Sequence, residues 1–323
     1  MMAGDIERLL PMWWVVALSP FLSCAAFGAG SALAEPATVA YVSSEGSGSL
    51  SGIDTSLFRV VQHVDVGRRP HNMERTADGL LLVATQGSNT MAVVDARSEP
   101  ITVDRIDLGE PPHDVAARAG RATAFVVSER GLLAEIDPAS GRVLRRIELK
   151  GRPHDVTAWR GSALITDISA RQIFIVEGDR VRMMPISVVG HDLAVRPGSE
   201  ELWVTPWTSD RAVVIDLEKQ EQIAELKVGL ASSHKHLAFS EDGGEAWISE
   251  PESGTLFVVD TRTRKVVDTI ALGGHPHHVR AAAGRVYVAD GPSDLVVLDA
   301  ASRQVLARLA VGTEVHDVAV VTR

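Results

Sequence analysis

The sequence repeats itself. A short segment centred on a histidine returns along the chain as RPHNMER (69–75), PPHDVAA (111–117), RPHDVTA (152–158), VGHDLAV (189–195), SHKHLAF (233–239), HPHHVRA (275–281) and EVHDVAV (314–320). Aligned on their centres, these seven segments place His71, His113, His154, His191, Lys235, His277 and His316 in register, at intervals of 37 to 44 residues. Such a period constrains the fold more than any single motif does. Each copy has to be one supersecondary unit that buries its apolar face against its neighbours.

Each unit carries the same internal pattern. A short apolar segment follows the histidine, then a Gly- or Asp-rich turn such as TADG (76–79). A second apolar segment follows, as in LWVTPW (202–207) or RVYVAD (285–290). Next comes a strand-like stretch ending in Asp, as in RAVVID (211–216) or LFVVD (256–260), and then an alternating one, as in RVLRRIELKG (142–151). These stretches are β-branched and bounded by turn residues, so they read as four strands per repeat. No helical period of useful length occurs after residue 34. Four strands in each of seven units predict an all-β, seven-bladed β-propeller with four-stranded blades. TVAYVSS (38–44) matches a second strand and HDVAVVT (316–322) a first strand, so the two ends are expected to share one blade and leave no open sheet edge.

The N-terminus reads as an export signal. Residues 12–30, MWWVVALSPFLSCAAFGAG, are apolar and uncharged, and Ala32-Leu33-Ala34 offers a small-x-small cleavage site. The expected division is a signal peptide over 1–34, with Met12 as a possible true start, and a single propeller domain over 35–323. An exported, periplasmic protein without a stable membrane span follows, with a membrane anchor or a lipid on Cys24 as alternatives. Cys24 is the one cysteine. Cleavage would leave a chain without disulfides, thiolate ligands or a C-x-x-C-H haem attachment, so any metal would be held by nitrogen and oxygen. The formal net charge of −10 and the absence of a basic stripe argue against nucleic acid.

Ten of the eleven histidines lie in the repeated segments: 71, 113, 154, 191, 234, 236, 275, 277, 278 and 316. Only His63 lies elsewhere. In a propeller these segments lead into the innermost strands, so seven histidines are expected around one axis: His71, His113, His154, His191, His236, His277 and His316. Imidazole suits copper, zinc, iron and nickel. A lone tetrahedral ion needs at most four ligands, so a cluster, several ions or a haem would suit such a ring better. The alternative is structural, with repeats copying a residue that braces each blade. The acids that follow, Asp114, Asp155, Asp192 and Asp317, are expected on the opposite strand face, bonding backbone or the next blade.

The features PHDVA, RVYVAD and VVID resemble the YVTN-type propeller repeat, a likeness covering roughly 38–322 that implies the fold and leaves activity open. The histidine ring is similar to that of the nitrous oxide reductase propeller, in which seven histidines hold a copper–sulfide cluster. That likeness implies copper as the first metal, with haem or another transition metal as alternatives. This chain is shorter and presents Lys235 in register, so the likeness concerns the site rather than the reaction. WD-repeat propellers, in which a histidine of this loop braces the blade, imply the structural alternative and a non-catalytic propeller that binds an envelope protein. Streptogramin lyases, which work with His and Glu on this face, imply a lyase or lactonase using Glu250 or Glu252. Trp207, Arg130, Arg171 and Arg211 fall in loops of the same face. There is no phosphate-cradling glycine loop, G-x-S-x-G elbow or H-E-x-x-H motif.

Overall fold

Twenty-eight strands pair into seven antiparallel sheets of four among the described residues, which are 38–99 and 101–322 of a computed structural model. The expected signal segment and Cys24 lie outside them. The innermost strands are Val315–Thr322, Pro70–Arg75, Asp114–Ala117, Pro153–Trp159, Gly190–Val195, Leu237–Phe239 and His275–Ala282. Each touches the next and the last touches the first, which closes the ring. These strands define blades 1 to 7. The expected seven-bladed propeller is the observed fold. One 3-10 turn, Gln86–Ser88, is the sole helical element among the described residues. No helix there is long and apolar enough to cross a membrane.

Blade 1 is assembled from both ends of the sequence. Val315–Thr322 pairs antiparallel with Thr38–Ser44, matching Tyr41 to Ala319 and Val39 to Val321. Eight residues of one terminus are thus zipped to seven of the other, and no inner edge is left unpaired. The core lies between blades. One cluster joins Tyr41 and Val321 of blade 1 to Leu81 and Val94 of blade 2. Another joins Tyr287 and Leu295 of blade 7 to Ala40 and Ile53 of blade 1. Outer strands face solvent on one side, as in the alternating burial of Arg142–Glu148. In six blades an Asp ends the third strand and caps the following turn, and in blade 4 Glu177 stands at that position. Asp54 accepts the N–H groups of Ser56 and Leu57, Asp137 those of Ala139 and Ser140, and Asp216 those of Glu218 and Lys219.

Candidate metal centre

A β-bulge aims the repeated histidines. In blade 4, Pro153 pairs with Asp167 and Val156 with Ile165, so three steps on the inner strand oppose two on its partner. The same shift falls at His71-Asn72, His191-Asp192, His277-His278 and His316-Asp317. A bulge breaks the two-residue alternation and re-aims side chains. Both residues of each pair therefore reach the channel at successive depths. The expectation that the acids occupy the opposite face is corrected on this point. A hydroxyl from the preceding blade latches several of these segments. Ser43 Oγ donates to His71 O (2.9 Å), Thr166 Oγ1 to His191 O (2.7 Å) and Ser249 Oγ to His277 O (2.5 Å).

All seven expected ring histidines come together. Around the axis their ring centroids are separated by 4.5 Å (71–113), 3.9 Å (113–154), 4.8 Å (154–191), 4.7 Å (191–236), 4.4 Å (236–277), 4.5 Å (277–316) and 3.6 Å (316–71). His278 packs against the ring 3.6 Å from His236. His234 stands 5.0 Å from Trp207 and 6.0 Å from His277. These nine histidines, with Trp207, Glu129, Arg69 and Arg130, line a cavity of ≈ 520 Å³ at the channel mouth. That is within the range of ligand sites.

The register of blade 6 differs from the sequence alignment. Lys235 turns away from the channel and is fully buried. Its ammonium donates to Leu230 O (2.7 Å), Ser232 O (3.0 Å) and Ser232 Oγ (2.9 Å), 3.4 Å from Glu250. His236 takes the ring position one residue later. Glu250 also accepts from Leu230 N and Ser232 Oγ, both at 2.7 Å, and from Ser253 Oγ. It is a structural counter-ion to Lys235, which occupies the oxygens that general acid–base work would need. Trp207 walls the mouth, with ring centroids 5.3 Å from His154 and 5.1 Å from His191. Arg130 lines the cavity, whereas Arg171 and Arg211 do not. His63 bonds Ser51 on an outer strand, and His275 is exposed outside the ring.

Two acids escaped the sequence reading. Glu45 Oε1 lies 3.3 Å from His316 Nδ1 and 3.6 Å from His71 Nε2, while Arg69 donates to its other oxygen at 3.0 Å. Glu129 repeats the arrangement one blade away from its counterpart's neighbour: Oε1 lies 3.5 Å from His154 and 3.6 Å from His113, with Arg152 on Oε2 at 2.6 Å. Both acids follow a serine at the end of a second strand (Ser44-Glu45, Ser128-Glu129), and Trp207 occupies the corresponding position of blade 5. Burial works to raise the Glu129 carboxyl. The Arg152 hydrogen bond and the two imidazoles outweigh it and hold the group below its ordinary value.

Six of the imidazoles are held neutral. Burial first, and neighbouring imidazoles second, push His71, His191, His236, His278 and His316 well below 6.5, and His277 to about 3. A neutral ring can offer a lone pair. Several are buried with nothing to bond. Nδ1 of His71, His236 and His277, and Nε2 of His236 and His278, have no hydrogen-bond partner, while Nδ1 of His113 and His154 faces Asp155 Oδ1 at 3.4 and 3.2 Å. Each such atom costs about 1–3 kcal/mol. A cluster of them around one cavity is the pattern of a ligand site. Donor atoms gather within 4.8 Å in the groups Glu45–His71–His316, His113–Glu129–His154 and His236–His277–His278.

Known proteins share this architecture. The apo form of AztD from Citrobacter koseri superposes with a TM-score of 0.67 at 12% identity, covering 88% of this chain and 98% of that one. The dihydro-heme d1 dehydrogenase NirN in complex with DHE gives 0.63 at 14%, covering 87% and 74%. Hydrazine synthase from Kuenenia stuttgartiensis gives 0.64 at 16%, covering 76% and 87%. These identities establish a shared fold. Comparison with curated protein sequences gave no match. Residues 115–285, just over half of the chain, match the family described as the cytochrome D1 heme domain, and the chain belongs to that family.

Proposed function

We propose that the mouth of the propeller binds a haem-type tetrapyrrole, whose iron an imidazole of the histidine cluster would hold. The observation that carries this reading is the set of neutral, buried and unpartnered imidazole nitrogens lining one cavity, in a chain of the cytochrome D1 heme domain family. The donor chemistry fits, since histidine is a common axial ligand of haem iron. Exposed Arg69 and Arg130 at the rim would meet anionic substituents, and Trp207 offers an aromatic wall. The group would supply a redox-active iron when bound. The chain's own residues would orient it, keep the imidazoles neutral through burial, and fix the ring through Glu45 and Glu129.

A second reading rests on donor number. Seven imidazoles exceed the one or two axial positions of a haem, and the donor groups within 4.8 Å suit transition ions held directly, with copper first. Titrating the purified protein, without a histidine tag, with ferric haem and separately with Cu(II) tests both. A saturable Soret shift at one haem per chain supports the first reading. Stoichiometric copper uptake without a Soret change supports the second. Uptake of neither would leave a propeller whose histidines serve structure or a protein partner. The uncharged stretch 12–30 supports export, so the protein would meet its ligand outside the cytoplasm.

A further inference from the structure

Beneath the ring the channel changes character. A second cavity of ≈ 200 Å³ is lined by Asn72, Glu74, Asp114, Asp192, His278, Arg280 and Asp317 among others. Glu74, Asp114, Asp155, Asp192 and Asp317 bring five carboxyl groups to this region. Arg280, whose guanidinium lies 3.7 Å from Glu74, is the cation that faces them. Buried carboxylates gathered in this way need protons or a cation.

Three of the acids follow one rule. Each accepts a backbone N–H from the next inner strand: Asp114 from Val156, Asp192 from Leu237 and Asp317 from Met73, all at 2.8 Å. Asp155 departs from it. The equivalent donor, Leu193 N, is taken by Asp192 Oδ1 at 2.6 Å. Asp155 is 2% exposed; its Oδ1 faces His154 Nδ1 at 3.2 Å and His113 Nδ1 at 3.4 Å and shares the Asn72 amide at 3.3 Å, while its Oδ2 has no partner. His236 is also 2% exposed, both its nitrogens lack partners, and Nδ1 lies 3.6 Å from Asp192 Oδ2. Donor atoms of Asp155, Asp192 and His236 lie within 4.8 Å of one another.

We propose that Asp155, Asp192 and His236 form a second metal site, inside the channel beneath the mouth and sharing His236 with the ring, for a divalent transition ion that accepts two carboxylates and one imidazole. Two oxygens and one nitrogen suit manganese, iron or zinc, and the adjoining cavity has room for completing waters. Manganese(II) is the selective probe. It stands lowest in the affinity order for nitrogen sites, so the all-imidazole ring competes for it poorly.

The test is a manganese(II) titration of the chelator-stripped full-length chain, read by loss of the free-ion electron paramagnetic resonance signal. One manganese per chain is expected. Asp155→Asn and Asp192→Asn keep the side-chain shape and one acceptor oxygen, and each should weaken binding by at least ~10-fold while circular dichroism and the melting temperature stay near the parent's. Should either variant unfold, His236→Gln provides the same comparison. No manganese uptake by the folded parent, or parent-like affinity in these variants, overturns the proposal. Because ferric haem is titrated separately, manganese uptake without haem uptake sinks the mouth reading alone, and the reverse sinks this one alone.

Discussion

Two layers of the channel, one residue apart in sequence, do different work. The upper layer is made of His71, His113, His154, His191, His236, His277 and His316, several of whose nitrogens lack bonding partners. The lower layer holds Asn72, Asp114, Asp155, Asp192, His278 and Asp317, whose acids mostly tie one blade to the next through backbone N–H groups. Histidine recurs in every blade of the upper layer, while the lower layer varies. A position that serves only as a brace tolerates variation, provided an acceptor or a packed group remains. The bulge makes this division possible, because it sends two consecutive side chains to the same axis.

The largest expected effect breaks the upper layer. His113→Ala with His277→Ala should abolish stoichiometric uptake of haem or copper while leaving the far-ultraviolet spectrum of a propeller. Metal analysis beside an absorbance titration reads it, and retained uptake would mean that the ring is not the site. Next, Glu45→Gln with Glu129→Gln removes the carboxylates that hold two histidines each. Ligand affinity should fall by about 10–100-fold, the usual range for groups that orient metal ligands, and stability should change by only about 1 kcal/mol or less because the paired arginines are exposed.

A stability series sharpens the contrast within the lower layer. Asp317→Ala and Asp114→Ala each leave a buried N–H unpaired, so urea unfolding should register losses of about 1–3 kcal/mol. Asp155→Ala should cost less in metal-free protein, since Asp155 accepts no backbone N–H from the next blade. Equal losses at all three positions would erase the distinction on which the inner metal site rests.

The smallest effect is a pH trend in metal-free protein. The depressed histidines bind fewer protons folded than unfolded. Their contribution is therefore complete above the ordinary 6.5 and is lost as pH falls toward their folded values, about 3 for His277. Asp192 and Asp317, raised by burial to about 8 and about 6, act in the opposite sense, and their contribution is lost as pH rises through those values. The more numerous histidines should dominate below 6.5. Melting temperature should rise from pH 4 to about 6.5 and drift down toward pH 8. A flat profile would mean that the ring is already open to water.

Much of this was legible in the sequence. The forty-residue period and its four strand-like segments were enough for the propeller, and the matching ends were enough for the shared blade. The ring was readable because histidine recurs at one point of the repeat. Lys235 was not readable. The alignment puts it in the ring, whereas the fold pairs it with Glu250 and advances His236 by one residue. Glu45 and Glu129 were missed because only two blades carry the acid, although the shared Ser-Glu at the end of the second strand was a signal. Trp207 was singled out as a residue of this face, but its place against His154 and His191 depends on how the blades converge.

The sequence alone determined the architecture, because periodic burial and turn chemistry are local and each repeat states them again. It also determined which residue type encircles the axis. The tertiary structure decided depth and pairing: which of two adjacent side chains lies at the mouth, which acid is left without a partner, and which cation is turned away. Those outcomes depend on a bulge, on hydrogen bonds between blades and on burial at a shared axis. They arise only when residues forty or more positions apart are brought together.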